Sequence, residues 1–250
     1  MKRGTLLLTV IAGIAVFLVV LVLYLPAAWF AGALPAHLRC NELGGSVWRG
    51  ECNGLNYQGS PVGDATWDLA VGRALAGRLV GDIAVRGNAL NLNASLDTSL
   101  GGAGELRDIK GTLLMDPALL PVLPAQQRGT LSTDLRRLVL GEGGAVKDVE
   151  GTIELRDFRQ LGSQPMDLGS YQVTFAGVGD ANSAVTGKVR DLGGPFIVDA
   201  TLTLDPARSY VVQGYITGRS AAAERTVREL TLGAMPDASG RSTFSFEGTY

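Results

Sequence analysis

From about Gly44 onward, apolar and polar residues take turns along short stretches of chain. Leu90, Leu92, Ala94 and Leu96 alternate with Asn91, Asn93, Ser95 and Asp97. Phe196, Val198, Ala200, Leu202 and Leu204 alternate with Asp199, Thr201 and Thr203. Tyr171, Val173 and Phe175 repeat the pattern against Gln172 and Thr174, as do Phe244 and Phe246 against Ser245 and Glu247. A period of two puts one residue set on a covered face and the other in water, which defines a half-buried strand. Gly101-Gly102, Gly143-Gly144 and Gly193-Gly194 punctuate these runs as turns. The pattern predicts an antiparallel, mostly all-β domain, built either as an open curved groove or as a sandwich.

Two stretches depart from it. Asp116 to Leu120 reads as one capped helical turn stopped by Pro121 and Pro124. Ser220 to Leu232 carries good helix formers with Val227 and Leu230 on one side, and Gly233 ends it. A faint repeat also runs through the domain. Asp108-Ile109-Lys110-Gly111-Thr112-Leu113 matches Asp148-Val149-Glu150-Gly151-Thr152-Ile153, and Asp191-Leu192-Gly193-Gly194 resembles a degraded third copy. Such spacing fits a repeating unit of a few strands, and chance recurrence of turn-plus-strand chemistry fits it as well.

The N-terminus is different in kind. Thr5 to Leu25 contains no charged residue, long enough as a helix to cross a hydrocarbon core of about 30 Å. Lys2 and Arg3 precede it and no acid occurs before Glu42. The positive-inside rule then leaves residues 1–4 as a cytoplasmic tail, makes 5–25 a signal anchor, and exports the rest. A linker over 26–43 and a periplasmic β-rich domain over 44–250 complete the expected order. The rival is a cleaved signal peptide, since Ala31-Gly32-Ala33 has the form of a cleavage site, but signal cores run only about 7–15 apolar residues.

Cys40 and Cys52 are the only cysteines. In an oxidising compartment they are expected to pair, a link that contributes about 3 kcal/mol in the chain-entropy model. Glycine makes up 34 of 250 residues, about twice average usage. Net charge is -2, which argues against nucleic-acid binding by bulk charge. Leaving out Lys2 and Arg3, 20 basic residues face 24 acidic ones, so no polybasic contact with lipid headgroups is expected. With one histidine, His37, and two cysteines, no metal site is expected. No nucleophile elbow, phosphate loop or dinucleotide fingerprint occurs, and acid pairs such as Asp64 and Asp68 read as wet-face charge. No cofactor and no enzymatic activity are predicted.

Trp48 and Trp67 follow glycine-rich turns and read as core anchors or as an exposed partner contact. Gly50, Gly59 and Gly77 read as sites of positive φ or close backbone approach. The last strand, from Arg241, is the candidate free edge.

Several of these pieces, in order, resemble the general secretion pathway protein N family of type II secretion accessory proteins. They are the apolar N-terminus, Leu25-Pro26-Ala27-Ala28-Trp29, Gly45-Ser46-Val47-Trp48-Arg49-Gly50, Trp67-Asp68-Leu69 and Leu75-Ala76-Gly77-Arg78-Leu79. Near the C-terminus come Leu232-Gly233, Pro236-Asp237 and Gly240-Arg241. Ser242 stands where that family pattern suggests an aromatic residue. The resemblance implies a non-enzymatic, single-pass inner-membrane protein that contacts the secretion platform, with the outer-membrane secretin as a further partner. A weaker similarity to AsmA-like envelope proteins implies the alternative of a periplasmic groove for lipid acyl chains.

Overall fold

The computed structural model describes residues 3–34, 37–74, 76–99, 104–117, 126–141, 144–162, 165–177, 184–231 and 235–249. Helix α1 (Arg3–Leu23) leads into a 3-10 helix (Ala27–Ala33). The strands that follow are β1 (Leu38–Gly45), β2 (Arg49–Tyr57), β3 (Ser60–Leu69), β4 (Arg78–Arg86), β5 (Leu90–Ser99), β6 (Gly104–Met115) and β7 (Gln127–Leu140). Then come β8 (Val146–Gln160), β9 (Met166–Ala176), β10 (Val185–Gly193), β11 (Phe196–Leu204), β12 (Ser209–Gly218) and β13 (Ser242–Thr249). A single-turn helix α2 (Val71–Ala74) joins β3 to β4, and α3 (Ala221–Leu230) joins β12 to β13.

All 13 strands form one sheet in sequence order, and each pairs antiparallel with its chain neighbours. The alternating runs at 90–97, 171–175, 196–204 and 244–247 therefore fall in β5, β9, β11 and β13. A sandwich needs two sheets, and the described strands supply one. Of the expected alternatives, the single open sheet is the one formed.

The sheet's covered face is organised by a lateral row. Register places Gly50 beside Trp67, Trp67 beside Ile83 and Ile83 beside Ala94. A bulge in β6, where Asp108 takes φ 50°, sets Ala94 against Ile109. The row then runs Ile109, Leu135, Gly151, Phe175, Gly187, Leu202, Val212 and Phe246. Phe175 is 3% exposed at its centre and Phe246 is 54% exposed at its end. Glycine flanks the two large rings of the row, Gly50 beside Trp67 and Gly151 and Gly187 on either side of Phe175, where lateral neighbours are only about 5 Å apart. A Cβ at Gly187 would sit 2.6 Å from the Phe175 ring. The glycine excess is thus partly a packing device.

Helix α3 lies on the same face, packing Ala223 and Val227 against Phe196, Val198 and Ala200. The Ser220 hydroxyl caps it, accepting from the Ala223 N–H at 3.2 Å. The helix matches the predicted stretch, with Thr231 as its C-cap; Gly233 lies outside the described residues. So do Ala118 to Leu120, the greater part of the predicted turn after Asp116, and Gly101, Gly102 and Gly143.

The two full repeat copies occupy β6 and β8, where Ile109 and Val149 both enter the core. Leu192 of the third copy is 47% exposed, so the repeat does not extend to β10. Between strands, Arg78–Asp97 and Arg137–Glu105 pairs at 2.7 and 2.8 Å reinforce the register. Such exposed pairs contribute about 0–1 kcal/mol each.

The N-terminal helix expected from the sequence is present and 21 residues long. Among the described residues no helix is long and apolar enough to cross a membrane.

The row yields a stability test. Gly187→Val should lower stability by about 1–3 kcal/mol through overpacking against Phe175. Adding Phe175→Leu should recover part of that loss rather than add to it. Denaturant unfolding of the three variants decides, and strict additivity would contradict the packing.

Candidate functional site

The sequence-predicted site residues gather at the two ends of this row. At the first end, the chain leaving α1 is fastened to the sheet. The Trp48 indole N–H donates to the Val22 carbonyl at 2.6 Å, and the Val47 N–H donates to the Leu25 carbonyl at 2.9 Å. Pro26 and Ser46 form a bridge beside them. Trp67 donates its indole N–H to the Val47 carbonyl at 3.0 Å, and the Leu69 N–H donates to the Trp48 carbonyl. Both rings are half-buried with their polar edges satisfied, so they are anchors of this corner.

Gly50 belongs to the same corner for steric reasons. A Cβ there would collide with the Trp67 ring and lie 2.7 Å from the Gly44 carbonyl. Close approach is its reason, whereas Gly59 and Gly77 take φ of 88° and 79°. The disulfide joins Cys40 on β1 to Cys52 on β2 across a Cα separation of 5.7 Å. It holds the outermost strand next to the junction.

Above this corner the covered face is open. A cavity of about 440 Å³ is lined by Leu43, Val47, Leu55, Trp67, Ile83 and Leu96, with Ala27 and Leu34 of the 3-10 helix at its side. Another hollow, of about 700 Å³, carries Arg49, Asp68, Asp82, Asn93 and Ser95 among apolar groups such as Ile83 and Ala94. Arg49 pairs with Asp68 at 2.6 Å and Ser95 donates to Asp82 at 2.7 Å. Asp64 likewise accepts from the Gly54 N–H at 2.8 Å. His37 stacks edge-on against Tyr57 at 5.6 Å. Among the described residues no group of three His, Cys, Asp or Glu could hold a metal ion.

At the second end, Pro236, Asp237, Gly240 and Arg241 build the turn into β13. The Asp237 carboxylate accepts from the Ser239 N–H at 2.8 Å, the Arg241 N–H at 2.9 Å and the Arg241 Nε–H at 3.0 Å. The Arg241 N–H bond leads in holding the Asp237 carboxyl below its ordinary value. Gly240 takes φ 76°, and the Arg241 guanidinium lies 4.4 Å from the Tyr215 ring centre. Ser242, the departure from the expected aromatic, is 2% exposed opposite Ile216, a place with room for a small side chain only.

Sequence reasoning found both corners and missed what connects them. The acceptors on Val22 and Leu25 are backbone groups, which no residue type announces. Ala94 and Phe246 were visible as alternating apolar positions, but their shared row depends on register.

Two measurements follow. Trp48→Phe keeps an aromatic ring but removes the N–H and part of the indole, so it should cost in unfolding stability at least what that hydrogen bond contributes, about 0.5–1.5 kcal/mol. For Asp237, a lowered folded value means its support is present above the ordinary carboxylate value of 3.8 and fades as pH falls through the folded value. Asp237→Ala should therefore accelerate amide exchange at Ser239 and Arg241 at neutral pH, with the difference from the unchanged chain vanishing in strong acid.

A family model described as "Type II secretion system (T2SS), protein N" matches residues 36–245. A relative named "Type II secretion system protein N", from Vibrio cholerae serotype O1, is 27% identical over 225 residues, covering 86% of each chain. No solved structure matches. The matched span takes in the Trp48–Trp67 corner and the first half of β13, and the chain belongs to the type II secretion system protein N family.

Proposed function

We propose that this secretion-system component is an anchored scaffold: α1 and its flank hold it in the bacterial inner membrane, and the sheet stands in the periplasm as a surface for the inner-membrane platform and the secretin. The observation that carries the reading is the Trp48–Val22 and Val47–Leu25 fastening, which makes the helix exit continuous with the sheet. The described α1 side chains are apolar and, apart from half-buried Val22, exposed, as suits a lipid-facing helix. The uncharged run from Thr5 to Leu25 and exposed Tyr24 and Trp29 fit an anchor with an interfacial belt. The division into tail 1–4, anchor 5–25, linker 26–43 and domain 44–250 belongs to this proposal, as does a role without catalysis.

The apolar cavity favours a second reading, in which an acyl chain enters the groove beside the anchor. Its volume lies within the about 300–1,000 Å³ common for small-ligand sites, and its lining offers hydrocarbon little but van der Waals contact. Photocrosslinkers at Ile83 and Leu96 should join lipid if that reading is correct, and protein if the face is a partner surface.

Secretion itself tests the scaffold. Loss of the chain should reduce export of folded substrates, and the full chain should restore it. A version lacking 1–25 and carried out by a cleavable signal should restore little, because tethering sustains an effective concentration of about mM that free diffusion does not. Normal secretion without the chain would end the scaffold reading.

A further inference from the structure

The two edges of the sheet are unequal. β1 carries Arg39 and Glu42, is tied to β2 by the disulfide and lies against the 3-10 helix. These are the devices that keep an edge from accepting another strand. β13 reads Ser-Thr-Phe-Ser-Phe-Glu-Gly-Thr, with no lysine or proline, and among the described residues it pairs with β12 alone. Its backbone groups on the far side are an unprotected template, and the apolar row stops there at Phe246, more than half exposed beside Val212.

We propose that β13 is a strand-addition site, where an extended segment of another protein pairs along Ser242–Thr249 and continues the row past Phe246. This rests on the scaffold reading and names its docking edge. The occupant is an alternating segment, with apolar residues on the Phe244 and Phe246 side and neutral or basic ones beside Glu247, the strand's one charge.

A second copy is the poorer occupant. At about 4.8 Å per strand, β13 lies about 58 Å from β1 measured along the ladder. A two-fold at β13 would send the two α1 helices out at opposite ends of the joined sheet, whereas both anchors must enter one membrane. The free edge is instead carried away from the anchor, toward partners farther into the periplasm.

The test places p-benzoylphenylalanine at Thr243, Ser245 or Glu247 of the full chain, in cells holding the whole secretion system, and maps each adduct to the residue. Strand addition predicts that all three positions join one contiguous segment of one protein, with successive sites two residues apart. Phe246→Lys should reduce those adducts by about tenfold or more. Phe246→Leu should retain them, which separates loss of docking from loss of fold. Adducts without that two-residue order, adducts to lipid or to a second copy, or none at all, overturn the proposal. If secretion still requires the chain in that case, only the docking edge is lost; if secretion is indifferent to the chain, the scaffold reading goes too.

Discussion

In a single sheet most of the packing partners for the covered face must come from lateral neighbours, and here the Trp67 and Phe175 rings find room by lying beside glycines. Phe175 has Gly151 on one side and Gly187 on the other, and Trp67 lies over Gly50. A side chain added at Gly187 or Gly50 would compete with the Phe175 or Trp67 ring for the same space. The lateral row constrains the register where these glycines meet the rings. It also links the helix junction and β13 through one line of contacts.

The ends of that line have opposite characters. At the junction, two tryptophans, a disulfide and backbone bonds from the helix exit fasten the corner. At β13 the turn is equally well built, with Asp237 and Arg241 holding the entry, yet the strand's outer side has no described neighbour. A protein that needed only to be stable would cover or charge that edge, as it does β1. A scaffold has use for one fastened end and one available end.

How much of this could be read from the sequence follows from the range of each interaction. Period-two alternation is local, so β5, β9, β11 and β13 were legible, and so was α3. The Cys40–Cys52 link followed from compartment and number. Single sheet versus sandwich was not legible, because connectivity between strands depends on pairings that alternation does not encode. The reason for Gly50 was likewise hidden, since it lies in a ring from another strand. The helix at the N-terminus was expected and is present, while its crossing of a membrane rests on composition rather than on described side chains.

Residue-resolved amide exchange on the isolated full chain in detergent micelles is the most direct test of a sheet with one available end. The account predicts slow exchange through β8 to β11 and, along Ser242–Thr249, fast exchange at every second amide, where the N–H points away from β12. Uniform protection along β13 would mean that the edge is already covered, and would contradict the account.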